Sequence, residues 1–220
     1  MLPGFGCDRD IIAPMLVQRI QQQFIDSADL KYQCAQTLAP AVDMAVAAVT
    51  ACVTGGGKLL CCGNGAAAAI ASAWTTAFVG RFERDRPELA ALCLSADAGL
   101  LSGIALDHGG RSVHARQVRA LGHAGDVLVV VSVQGQDANL LAAIDAAHER
   151  DMVVLALTGH KGGAIGKALK DTDVHVCVPS EQTARILEIQ QLVTHAICDG
   201  LDTQLLGLPD APSIDQENLS

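Results

Sequence analysis

The sequence predicts an α/β fold: a three-layer, doubly wound sandwich with a five-stranded parallel sheet and an N-terminal helical arm. Two observations lead to this prediction. Five short runs within residues 58–178 are apolar almost throughout, as expected for strands covered on both faces. Segments with helical spacing of apolar residues separate these runs. Such an alternation of strand and helix requires a parallel sheet with right-handed crossovers.

The N-terminal quarter of the chain is predicted to be helical. Apolar residues recur at helical spacing over residues 11–53, with interruptions predicted near Asp26-Ser27 and at Pro40. Residues 1–10 are expected to form a loose tail. Residues 1–57 are therefore assigned to a tail and a helical arm.

The predicted strands and helices then alternate to the end of the chain. The strands are KLLCC (58–62), LAALCLS (89–95), DVLVVVS (126–132), MVVLALT (152–158) and VHVCV (174–178). The helical patterns cover residues 66–79, 98–106, 112–121, 138–149, 164–169 and 183–206. We therefore expect one α/β domain at 58–208, followed by a disordered tail at 209–220 that contains two prolines.

The composition narrows the class of function. Half of the residues are hydrophobic and the net charge is −9, which argues against direct contact with a nucleic-acid backbone. No uncharged apolar run reaches the roughly 18 residues that a membrane-spanning helix needs. Six of the eight cysteines lie in apolar runs, where a free thiol behaves as a small hydrophobe. We expect a reduced, cytoplasmic protein that meets small molecules or other proteins.

Three glycine-containing loops follow predicted strands, where ligands bind in doubly wound sheets. We call them the first loop (63–67), the second loop (132–137) and the third loop (158–163). Each could present backbone N–H groups at the start of a helix, a ready site for an anion. Glycine turns also end strands in most folds of this kind, so a purely structural role remains open for each loop.

Five segments together resemble the sugar isomerase (SIS) domain family, in its phosphoheptose isomerase branch. They are KLLCCGNGAAAA, GRFERDRPELAALCLS, RQVRALGHAGDVLVVVSVQGQDAN, MVVLALTGHKGG and VPSEQTARILEIQQLVTHAICD. The resemblance implies a flavodoxin-like sandwich that assembles as a tetramer with sites at subunit boundaries. It also implies isomerisation of sedoheptulose 7-phosphate, with the phosphate held in the second loop and zinc bound in some members.

The family's catalytic positions are changed in this chain. The resemblance places a metal-binding histidine at Ala73, a glutamate base at Ala77 and a glutamine ligand at Leu187, whereas the family's second histidine is kept as His195. A lone histidine cannot hold zinc, which needs at least three protein ligands. We therefore expect no catalytic residue, only a vestigial His195, and no metal or other cofactor.

The phosphate positions are changed as well. The family serine of the first loop is Ala67, and the family's second loop, Ser-Thr-Ser-Gly-Asn-Ser, here reads Ser-Val-Gln-Gly-Gln-Asp. An anionic Asp137 would repel a phosphate. What remains is a remnant of a phosphate or sugar site, formed by Gly63, Asn64, Gly65, Ala66, Ser132, Val133, Gln134 and Asp137.

Three functions stay open at this point. GRFERDRP and QVRALGHAGDVL look most similar to the DiaA-type members, which associate with the replication initiator DnaA, so the first is a non-catalytic tetrameric scaffold for DnaA. The second is a phosphoheptose isomerase. The third is a sensor that binds a sugar phosphate, weakly, without turnover. The partner interface implied by the resemblance is the apolar pair Leu205 and Leu206, although these leucines could equally cover a subunit interface.

Several polar residues receive structural interpretations. We expect His108, His114 and His123 to lie on helix surfaces or at helix ends, and FERDRP (82–87) to form a solvated turn. Arg185 and Glu188 lie one helical turn apart and are expected to pair.

Overall fold

The computed structural model describes residues 9–208, with side chains from residue 15 onward. The predicted tail at 209–220 and almost all of the predicted tail at 1–10 lie outside this range. The helices are α1 (Arg9–Thr37), α2 (Ala39–Thr54), α3 (Ala66–Val79), α4 (Ala98–His108), α5 (Val113–Leu121), α6 (Ala138–His148), α7 (Gly163–Ala168) and α8 (Thr183–Leu206). The strands are β1 (Leu59–Gly63), β2 (Ala91–Cys93), β3 (Val127–Val131), β4 (Val153–Thr158) and β5 (Val174–Cys177).

The five strands form one parallel sheet in the order β2-β1-β3-β4-β5, so the predicted α/β architecture is confirmed. Strands β1 and β3 are buried along their whole length, which explains why their sequences lack an alternation of apolar and polar residues. One apolar core lies between the sheet and helices α2, α3 and α8, and a second lies between the sheet and helices α5 and α6.

The predicted break at Asp26-Ser27 is wrong, because α1 continues through it to Thr37. Both polar side chains are accommodated on the helix surface: Asp26 accepts a hydrogen bond from Gln22 at 2.7 Å, and the Ser27 hydroxyl donates to Glu188 of α8 at 2.8 Å. The break before Pro40 is confirmed. Proline fits the first turn of α2, where its missing N–H has no helical partner to lose.

Helix α1 leaves many large apolar side chains in contact with solvent. Phe24 is 75% exposed and Tyr32 is 81% exposed. Among the described residues, no single helix is long and apolar enough to cross a membrane; Met15–Thr37 and Ala39–Thr54, bent by 67° relative to each other, meet the criterion only as a pair.

The strand order places the three loops at one edge of the sheet. Strands β1, β3 and β4 are neighbours and run parallel, so the first, second and third loops leave the same edge side by side. The direction in which successive strands are added to the sheet reverses between β1 and β3: β2 lies beyond β1, and β4 and β5 lie beyond β3. Doubly wound proteins bind ligands at such a switch point, beyond the carboxyl ends of the strands.

Candidate functional site

A cavity of about 350 Å³ opens where β1 and β3 end. The first and second loops and the start of α8 form its walls. Its lining residues are Asn64, Ala67, Val131, Ser132, Val133, Gln134, Gln136, Asp137 and Thr183. The structure thus brings most of the predicted remnant to one place, and Asp137 is the only charged residue in this lining.

The second loop is closed by hydrogen bonds to its own carboxylate. The Ser132 hydroxyl donates to Asp137 at 2.5 Å and accepts the amide of Gly135 at 2.8 Å. Asp137 also accepts a hydrogen bond from the side-chain amide of Asn64 at 2.8 Å. Two donors that could face a bound anion, the Ser132 hydroxyl and the Asn64 amide, are therefore directed at a group of the protein itself.

A further set of polar side chains continues from Asn64. The amides of Asn64 and Asn139 exchange hydrogen bonds at 2.9 Å in both directions, and Asn139 lies 3.3 Å from Nδ1 of His114. Nε2 of His114 lies 3.1 Å from the hydroxyl of Ser95. We call these connected residues the polar cradle: Asn64, Ser95, His114, Ser132, Asp137 and Asn139.

The surface position predicted for His114 is wrong. Only 2% of this residue is exposed, because its ring lies between Ser95, which follows β2, and Asn139 of α6. Burial lowers the pKa of His114 to about 4, against a smaller opposing effect of Asp137. The imidazole is therefore neutral at pH 7. With the Asn139 amide as donor to Nδ1, the network assigns the ring proton to Nε2, which donates to Ser95.

Fewer backbone N–H groups of the first loop are free to bind an anion than the sequence predicts. The Ala67 amide donates to the carbonyl of Asn64 at 3.1 Å, and the Ala68 amide donates to Gly65 at the same distance. Gly65 has φ +55°, a conformation that glycine adopts at no steric cost. The turn thus satisfies part of its own hydrogen-bonding capacity before any ligand is bound.

The third loop is built against the second. The Gly159 amide donates to the carbonyl of Val133 at 3.0 Å, and the Ile165 amide donates to Gly135 at 2.9 Å. A Cβ atom on Gly135 would collide with the carbonyl of Gly162, and one on Gly163 would lie 2.6 Å from the carbonyl of Gln134. The third loop is not among the residues that line the cavity, so its role here is to support the second loop.

The positions at which the family places its catalytic groups lie on α3 and α8, which pack against each other. We call Ala73, Ala77, Leu187 and His195 the α3–α8 face. Ala77 and Leu187 pack against the core, and the ring of His195 lies 5.4 Å from that of Phe82, with its Nε2 2.7 Å from the Gln191 amide. The described side chains offer a single imidazole here and no carboxylate.

Comparison with known proteins decides the family. The SIS domain model matches residues 23–159, well over half of the chain. The chain belongs to the SIS domain family. A phosphoheptose isomerase of Methylibium petroleiphilum is 51% identical over 196 residues, which cover 89% of this chain and 98% of that protein.

Other relatives support the phosphoheptose isomerase branch. A phosphoheptose isomerase of Dechloromonas aromatica is 44% identical, over 88% of this chain and 98% of that protein. The solved phosphoheptose isomerase GmhA of Neisseria gonorrhoeae superposes with a TM-score of 0.81 at 43% identity, over 86% of this chain and 99% of that one. The chain thus spans almost the full length of these relatives.

The zinc found in some members of the family does not fit the residues of the α3–α8 face. Zinc requires nitrogen, oxygen or sulfur lone pairs, and three of these four side chains are hydrocarbons. Within residues 15–208, moreover, no group of three or more His, Cys, Asp or Glu side chains is placed to hold a metal ion.

Sequence reasoning missed one buried ion pair near this face. Arg86 donates to Asp202 of α8 at 2.7 Å and to the carbonyls of Ala77 and Phe78 at the end of α3. Its side chain is 1% exposed, so FERDRP is not a fully solvated turn as predicted. The interleaved charges of that segment gave no sign of which arginine is buried.

The predicted partner pair is split by the structure. Leu205 is half-buried and packs against the apolar core between the sheet and helices α2, α3 and α8. Leu206, in contrast, is 38% exposed and Leu208 is 82% exposed. The exposed apolar surface at the end of α8 is therefore formed by Leu206 and Leu208.

Arg185 and Glu188 form the expected ion pair at 2.7 Å, and Arg185 also donates to the carbonyl of Gln23 in α1.

Proposed function

We propose that this chain is a non-catalytic member of the phosphoheptose isomerase branch, a DiaA-like scaffold whose cytoplasmic partner is the replication initiator DnaA. One observation carries the proposal: the α3–α8 face holds two methyl groups and an isobutyl group where the family places its histidine, glutamate base and glutamine. General acid–base catalysis contributes about 10²–10⁴-fold to a rate, and that contribution is lost with the base.

We further propose that the scaffold is a homotetramer. Helix α1 supports an oligomer because its exposed apolar residues exceed what a lone helix surface normally shows. They are Met15, Leu16, Val17, Ile20, Phe24, Ile25 and Tyr32. Contiguous apolar surface of this kind marks protein–protein contacts.

The second candidate is a sedoheptulose 7-phosphate isomerase. The specific observation in its favour is the name that relatives at 44–51% identity carry. It requires another side chain to move the proton between C1 and C2, since neither Ala73 nor Ala77 can do so.

Turnover of sedoheptulose 7-phosphate separates the two candidates. We expect the purified chain, assayed with and without added zinc, to fall at least about 10²-fold below an ordinary isomerase, the factor that a missing base removes. Metal analysis of protein purified without chelators should give well under one zinc per subunit. Activity close to that of an isomerase, or stoichiometric zinc that is lost in His195→Ala, would establish the enzyme instead.

Binding of DnaA tests the scaffold. We expect Leu206→Ala with Leu208→Ala to weaken binding at least about tenfold, as truncation of interface anchors does. The matched control is Leu205→Ala, which alters the half-buried neighbour, and sedimentation shows whether each variant keeps its oligomeric state. Unchanged affinity would show that these leucines do not contact DnaA, and dissociation of the oligomer would assign them to a subunit interface.

A further inference from the structure

The polar cradle carries a negative charge of its own at the place where a phosphate would bind. Asp137 is the N-cap residue of α6, yet its carboxylate caps no amide of that helix. It is directed instead at the Ser132 hydroxyl and the Asn64 amide. A helix N-terminus favours one negative group, and here the protein supplies that group itself.

The described part of the cavity wall offers a second anion no compensating positive charge. Among the described residues lining the cavity, none is lysine or arginine. The nearest imidazole, that of His114, is buried, and burial lowers its pKa to about 4, so it adds no positive charge at neutral pH. A phosphate dianion entering the cavity would therefore meet a fixed carboxylate and only neutral donors.

The hydrogen bonds of Ser132 and Gly135 also disfavour a bound phosphate. Ser132 has one hydroxyl proton, and Asp137 accepts it. The Gly135 amide is directed at the Ser132 oxygen. A phosphate could recruit these donors only by displacing the carboxylate, which would then remain in the cavity without partners. Groups that bring their own O–H donors can instead bind to the free lone pairs of Asp137 and to the amides of Gln134 and Gln136.

We propose that Asp137 is a specificity-determining residue: its carboxylate takes the place of the phosphate and restricts the cradle to neutral, hydroxyl-bearing ligands, such as a sugar with no phosphate at this position. The proposal takes the cradle as a small-molecule site, and in that respect it goes beyond the proposed function. It does not depend on whether the chain turns a substrate over.

Inorganic phosphate is the direct probe, with binding followed by calorimetry. Asp137→Asn keeps the shape of the side chain, removes its charge and turns one acceptor oxygen into an NH2 donor. We expect it to raise phosphate affinity at least about tenfold, because like charges a few ångströms apart repel. The matched control is Asp145→Asn, which removes an exposed carboxylate from the same helix and should leave phosphate affinity unchanged.

Two further variants distinguish the effect of the Asp137 charge on phosphate binding from the effect of the hydroxyl donors that the second loop lacks. Val133→Thr with Gln134→Ser restores two family hydroxyls but keeps Asp137, and we expect no gain in phosphate binding. Adding Asp137→Ser to this pair should produce the gain. The proposal is overturned if the double variant alone binds phosphate, if no Asp137 variant binds it more tightly than the wild type does, or if Asp145→Asn has the same effect.

Paired sugars test the ligand class. The wild type should bind sedoheptulose at least as tightly as sedoheptulose 7-phosphate, and Asp137→Ser should reverse that order. A wild type that prefers the phosphorylated sugar, or that binds neither, would refute the proposal. Isomerase turnover by the wild type would refute the non-catalytic function alone, since the effect of Asp137 on phosphate affinity is measured independently.

Discussion

The polar cradle and the α3–α8 face differ from the family pattern in opposite ways. On the α3–α8 face, polar groups have been replaced by hydrocarbon, and Ala77 and Leu187 pack against the core. In the cradle, polar groups remain and bind one another from Ser95 to Ser132. The comparison indicates that the α3–α8 face has become largely apolar, whereas the loop edge of the sheet has stayed polar and internally hydrogen-bonded.

The largest expected effect is the loss of stability when the buried ion pair between Arg86 and Asp202, near the α3–α8 face, is broken. Arg86→Met leaves Asp202 charged and buried without its partner, which should cost about 3–5 kcal/mol of unfolding free energy in urea titrations. Arg119→Met is the control, because its ion pair with Glu149 is exposed, and such pairs contribute little. A loss no larger than that of the control would mean that α3 and α8 are held by apolar packing alone.

A smaller effect, dependent on pH, is expected from the cradle. His114 has its pKa lowered to about 4 in the folded state, whereas an unfolded histidine titrates near 6.5. Between these values the unfolded chain binds more protons, so stability falls as pH falls. Above about pH 6.5 the histidine contributes no pH dependence.

We expect about 2–3 kcal/mol of the loss in stability between about pH 7.5 and about pH 4.5 to disappear in His114→Asn. Urea titrations of both proteins at the two pH values measure this difference, and the carboxylates common to both cancel. Equal pH dependence in the two proteins would show that His114 is protonated in the folded state.

The smallest effects compare the two regions directly. Ser132→Ala deprives the Gly135 amide and the Asp137 carboxylate of a partner and should cost about 1–2 kcal/mol. Ala73→Ser, on the exposed surface of α3, should change stability by less than about 0.5 kcal/mol. Thermal and urea unfolding of both variants test whether the cradle hydrogen bonds contribute to the free energy of unfolding while the side chain at position 73 does not. Similar losses in both would remove the contrast between the two regions.

Most of the fold could be predicted from the sequence because buried parallel strands and amphipathic helices have distinct patterns. Strands β1, β3 and β4 were predicted to within one residue for this reason. The strand at 89–95 was predicted too long, since only Ala91–Cys93 pairs with β1. Asp26-Ser27 was taken for a break because polar residues end helices, but one turn of a long helix can face solvent or a neighbouring helix.

The candidate site was less predictable, because its key feature is a set of contacts between distant positions. The sequence indicated the three loops and the positions on α3 and α8 whose side chains differ from the family pattern. It did not show that Asn139 connects Asn64 to His114, since these residues come from three different elements. The one available signal was the position of His114 between Val113 and Ala115 on a short helix, where a buried face was an alternative to a surface one.

The glycine contacts between the second and third loops limit which loop sequences this scaffold can accept. Gly135 has φ +68° and sits against Gly162, while Gly163 sits against Gln134. A transplanted second loop with any side chain at position 135 would collide with the loop behind it. The family's second loop also has glycine at this position, so an isomerase's loop meets the requirement as long as Gly162 and Gly163 are kept behind it.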